Sequence, residues 1–116
     1  MINNKLSHLE IELLEKTREF VRDLNDKNPE KNNQYRKAYF IKTSENPERN
    51  RTKIRIMQHH ALKNTPVSSL LYWNNANGEG KLCFSTNYMM EEYINITEQY
   101  KNFILENVAE MKNRLK

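Results

Sequence analysis

Residues 48–60 read ERNRTKIRIMQHH, and the alternation inside this stretch decides the fold class. Ile54 and Ile56 lie two apart, with Lys53, Arg55 and Met57 around them. Successive strand side chains point to opposite faces, so the isoleucines share one face and the charged residues the other. A strand of this kind belongs in a sheet with one covered face and one wet face, which is the habit of antiparallel sheets. Arg49, Arg51, Lys53 and Arg55 fall at every second position, and His59 and His60 close the stretch.

The flanks extend the pattern. KAYFIKT (37–43) carries Tyr39, Phe40 and Ile41, residue types that favour strands. SENPERN (44–50) with Pro47 reads as the turn between the two strands. HHALKNTPV (59–67) reads as a loop, and SLLYWNN (69–75) is apolar enough for a central strand. ANGEG (76–80), with Asn77-Gly78, marks a hairpin turn whose return strand is KLCFSTN (81–87).

Helices bracket the strands. Leu6, Leu9, Leu13, Phe20 and Leu24, widened by Leu14 and Val21, make a helical stripe over 5–26. NDKNPEKNN (25–33) reads as a breaker, because Asn, Asp and Pro29 compete with the helix. Residues 88–116 read as a long helix with Met90, Ile94, Phe103 or Ile104, Val108, Met111 and Leu115 in line and Tyr93 and Tyr100 beside them. Asn87 is its expected cap, with Glu91 and Glu92 in the first turn and Lys112, Arg114 and Lys116 at the other end, as the helix dipole favours. The expectation is one α+β domain over 1–116: an N-terminal helix (5–26), a four-stranded antiparallel meander (37–87) and a long C-terminal helix (88–116). The order of four strands before a helix is similar to that of the Pur-alpha repeat and of the positive-coactivator family of single-strand binders, which often dimerise. The likeness is one of element order, and no signature residues align with either. The terminal stripe serves either the core or a homodimer.

Charge is unevenly spread. Residues 36–63 hold eight basic and two acidic side chains, net +6, whereas 1–35 and 64–116 are each net −1. Positive charge concentrated in one quarter of a chain points to an anionic partner. Phosphate backbones are bound by cations spaced along a surface, and alternate strand residues stand about 6.6–7 Å apart. Adjacent phosphates along one strand are separated by a similar distance. Arg49, Arg51, Lys53 and Arg55 are therefore the expected phosphate contacts, extended by Lys42, Arg36 and Lys37. Single-strand binders add aromatic platforms, for which Tyr39, Tyr72 and Trp73 are the candidates, with Tyr35 nearby. The expected function is non-enzymatic nucleic-acid binding, to DNA or RNA, single strand or duplex, with little sequence preference. The alternative is a small accessory or inhibitory factor, of the virus or mobile-element type, whose basic face docks on an acidic protein.

Other chemistries find no support in the pattern. The single cysteine, Cys83, makes no internal disulfide and reads as an apolar filler. His59 and His60 point to opposite faces, and with only His8 besides they build no metal site; polar surface roles suit them, with a phosphate contact at low pH as a minor one. Glu10/Glu12 and Glu91/Glu92 read as solvated helix faces. The GEG at 78–80 lacks the neighbours of a phosphate loop. No cofactor is expected. The start MINNKLSHLEIELLEK lacks the apolar core of a secretory signal, and no run reaches the roughly 18 apolar residues of a membrane span, so the expected location is cytoplasmic. The abundant asparagines read as a trace of AT-rich coding, not as chemistry.

Overall fold

A computed structural model describes residues 8–33, 36–59, 63–74 and 80–114. The fold is α+β. Helix α1 (His8–Lys27) is followed by a short 3-10 turn (Pro29–Lys31), strands β1 (Tyr39–Asn46), β2 (Arg51–Gln58), β3 (Thr65–Asn74) and β4 (Gly80–Thr86), and helix α2 (Glu91–Arg114). The strands pair in sequence order, β1-β2-β3-β4, all antiparallel. Both helices lie on one face of this meander and pack against each other there.

The covered face carries the core. Ile54 and Ile56 of β2, Leu70 and Tyr72 of β3 and Tyr39 of β1 are buried against Leu13, Phe20, Val21 and Leu24 of α1 and Tyr93, Ile96, Tyr100 and Ile104 of α2. Burying one such aliphatic side chain contributes about 1.5–3 kcal/mol. Tyr100 is central: its ring meets Phe20 at 5.2 Å and Phe84 edge-on at 5.5 Å. Its hydroxyl pairs with Thr17 at 2.8 Å, so this polar group carried into the core has a partner from the other helix.

The α2 stripe differs from expectation by a rotation. Its buried line runs through Tyr93, Ile96, Thr97, Tyr100, Ile104 and Val108, whereas Met90 is exposed and Ile94 only half-buried. The tyrosines expected beside the stripe are its centre, because their hydroxyls find partners and the rings can be sunk whole. From Tyr93 to Val108 the stripe faces this chain's own core. Asn87 does not cap α2: the helix begins at Glu91, and the Asn87 amide donates to Ser69 Oγ instead. Glu91 and Glu92 do occupy the first turn.

Two segments are longer than their composition suggested. Strand β1 runs on through Ser44, Glu45 and Asn46, so the turn shrinks to 47–50, closed by Asn50 at φ 52° in the left-handed region that asparagine tolerates. Strand β3 begins at Thr65, and a bulge opposite Ile56/Met57 leaves Val67 without a partner on β2, beside Pro66, which tolerates such a position because it has no N–H to pair. The expected Asn77-Gly78 turn, Leu6, Tyr35, His60 and Lys116 lie outside the described residues.

The asparagines after α1 build structure. Asn25 is buried and pairs twice with the backbone of Tyr39: its Nδ2 donates to the carbonyl at 3.0 Å and its Oδ1 accepts from the N–H at 2.8 Å. It thus occupies the free edge of β1 as a neighbouring strand would. Asn32 Oδ1 accepts from the Ala38 N–H at 2.7 Å, and Asn28 Nδ2 donates to Leu24 O at 2.8 Å, satisfying a helix-end carbonyl.

Candidate functional site

Both helices cover one face, and among the described residues no helix covers the other, which is called the open face although Ser69 and Met57 on it are buried. Residues paired across antiparallel strands point the same way, so the register defines this face in rows. One row holds Asn46, Arg51, Trp73 and Lys81; the next Ser44, Lys53, Leu71 and Cys83; the third Lys42, Arg55, Ser69 and Ser85. At the far end Phe40, Met57 and Pro66 line up, with the His59 ring stacked on Phe40 at 4.1 Å. The His59 Nδ1 is bonded to Asn64 Oδ1 at 2.8 Å, which fixes the ring in that stack.

The face therefore carries five cations: Lys42, Arg51, Lys53, Arg55 and Lys81. Among the described residues, no carboxylate makes an ion pair with any of them. Glu45, the acid of β1, belongs to the opposite face, across from Thr52, whose hydroxyl donates to Glu10. The Arg51 guanidinium lies over the Trp73 ring, 4.8 Å from its centroid, and its Nε is buried without an acceptor among the described residues. A buried unpaired donor is uncommon, and one stacked on an aromatic ring is held there by the ring's negative face.

The expected site residues separate into three groups. Lys42, Arg51, Lys53, Arg55 and Trp73 share the open face. Arg49, Arg36 and Lys37 are exposed but off it. Arg49 falls in the 3-10 turn before Asn50, so it does not continue the alternation of β2. Arg36 precedes β1, its N–H bonded to Asn33 Oδ1. Lys37 lines a shallow groove between α1 and β1, with Arg18, Arg22, Val21, Asn25, Asp26 and Ile41, on the helix side. Tyr39 and Tyr72 are corrections: at 2% and 4% exposure both lie in the core under the helices, where no base can stack. Cys83 is also a correction, because it is exposed on the open face across from Leu71. Lys81 was missed. Its only signal was its place opposite Trp73, which needs the β3–β4 register.

A polar cluster at the Phe40 end of the sheet serves the scaffold. Lys31 is paired with Glu92 and donates to Tyr39 Oη at 3.3 Å, the Tyr39 hydroxyl reaches Glu92 at 3.3 Å, and Tyr93 Oη donates to Gln58 at 2.5 Å. Burial pushes the Tyr39 and Tyr93 phenols up, the Lys31 charge opposing it, while for Lys31 itself the bonds to Glu92 and Tyr39 outweigh burial and hold the ammonium charged. These links tie the post-α1 turn, β1, β2 and the start of α2 together.

Comparison with protein-family models, curated proteins and solved structures finds no match. Among the described residues no helix is long and apolar enough to cross a membrane.

Proposed function

We propose that this protein is a non-enzymatic binder of nucleic acid that contacts the phosphate backbone through the open face of its sheet, with little sequence preference. The observation that carries the reading is the set of five cations on one uncovered sheet face, with no carboxylate ion-paired to them among the described residues. Unpaired cations at strand spacing suit a regular polyanion, because each phosphate they neutralise releases counterions. Lys42, Arg51, Lys53, Arg55 and Lys81 are the contacts. Sequence preference is low because lysine and arginine on phosphate read no base edge.

The test is a titration of labelled generic oligonucleotides at several salt concentrations. Four or five phosphate contacts predict that log K falls with log salt at a slope of about −3 on a single strand. A shallow slope with weak binding at low salt contradicts the reading and assigns the face to an acidic protein surface, the competing partner of the same charge.

A further inference from the structure

We infer that the occupant of the open face is single-stranded nucleic acid, its phosphates running along β2 and its bases lying over β3, with Trp73 as a stacking platform. This rests on the nucleic-acid reading above and adds strand state and orientation to it.

The first argument is shape. Four strands at about 4.8 Å spacing make a sheet about 14 Å wide between its outer strand axes, before side chains are added. The major groove of B-DNA is about 12 Å wide and admits a helix or a two-stranded ribbon. Both helices lie behind the sheet, so neither can reach a groove while this face is in contact.

The second argument is the chemistry of adjacent strands. The β2 cations Arg51, Lys53 and Arg55 form one line, with Lys42 beside it on β1. On the other side, directly across from Arg51 and Lys53, stand Trp73 and Leu71 of β3. A charged line flanked by an aromatic and apolar one matches a single strand, whose unstacked bases splay to one side of its backbone. A duplex would set its phosphates against Trp73 and Leu71, which give them nothing.

The third argument is the Arg51–Trp73 pair. In the free protein the guanidinium covers the ring and its Nε has no acceptor among the described residues. A base arriving on Trp73 displaces the guanidinium toward the adjoining phosphate. The ring exchanges one stacking partner for another, and the unpaired donor gains a charged acceptor.

Trp73 is the only tryptophan, so its fluorescence reports the event directly. The experiment titrates the full chain with an oligothymidylate of about 12 nucleotides, within the site size of such surfaces, and with a duplex of the same length. The single strand is expected to quench Trp73 and to bind at least about tenfold tighter. With an end-labelled strand, Trp73→Leu is expected to lose about five- to a hundredfold in affinity with an unchanged salt slope, because one stacked base and no phosphate contact is removed; Trp73→Phe keeps most of the affinity. Equal binding of both probes without quenching overturns the inference and leaves nucleic-acid binding standing. Binding of neither probe overturns both.

Discussion

Strand β2 presents Ile54 and Ile56 to the helices and, one residue away, Arg51, Lys53 and Arg55 to the open side. The inner pair is sealed, at 2% and 0% exposure, whereas the outer three are half-buried cations without an ion pair among the described residues. The outer surface of α1 is a second contrast. It too is charged, but Lys16, Arg18 and Lys27 each lie against a carboxylate three or four residues away. Charge that is locally neutralised mainly keeps a helix face wet. Charge left unpaired on a sheet face retains its field for a partner. The buried core therefore resides on one side of this sheet and the proposed binding surface on the other.

Three variants sharpen that division. Leu70→Ala, on the covered face and fully buried, is expected to cost about 2–5 kcal/mol in denaturant unfolding, while the folded fraction binds oligonucleotide as before. Loss of affinity in molecules that remain folded would blur the separation of the faces. Arg51→Ala with Arg55→Ala is expected to weaken binding by about a hundredfold for any sequence, to flatten the single-strand salt slope by about 1.4, and to change stability by less than about 1 kcal/mol. Removing two charges from α1, Lys16→Ala with Arg18→Ala, is the matched control and should move affinity less than about threefold.

Asn25→Ala is expected to cost about 1–3 kcal/mol, because it leaves the N–H and C=O of Tyr39 unpaired at a buried edge. Amide exchange at Tyr39 should accelerate in this variant; an unchanged rate would mean that the β1 edge holds without the clamp. The smallest effect belongs to Tyr100→Phe, about 1 kcal/mol for the bond to Thr17. Burial pushes the Tyr100 phenol well above its ordinary value of 10.0, and Tyr39 and Tyr93 move the same way. A raised phenol favours the fold while the unfolded chain is also neutral, and that contribution is lost as pH climbs past about 10. Stability should thus fall above pH 10, less steeply in Tyr100→Phe than in the parent.

The order of elements was legible because it follows from local patterns: period-two alternation in 52–58, helical stripes at both ends, turn residues between. The inward turn of Ile54 and Ile56 was legible for the same reason. The site was legible only in part. Parity puts Tyr72 and Trp73 on opposite faces, yet which face the helices cover is a tertiary fact, and it removes Tyr72 and Tyr39 while keeping Trp73. Lys81 joins the face through cross-strand register, which no local window contains. Arg49 leaves it because Asn50 turns left-handed one residue before the strand. Asn25 read as a helix breaker because its amide competes for backbone bonds; it lies within α1 and finds them on strand β1, 14 residues on.

The central claim is that nucleic acid lies on the open face, and Cys83 allows it to be tested in the unaltered chain. It is the only cysteine, it is exposed, and it sits on that face in the row of Lys53 and Leu71. The measurement is the rate of its alkylation by a small neutral maleimide, with and without saturating oligonucleotide. The account predicts that bound oligonucleotide slows the reaction severalfold and that raising the salt restores the rate. An unchanged rate at demonstrated saturation would place the nucleic acid elsewhere and contradict the account.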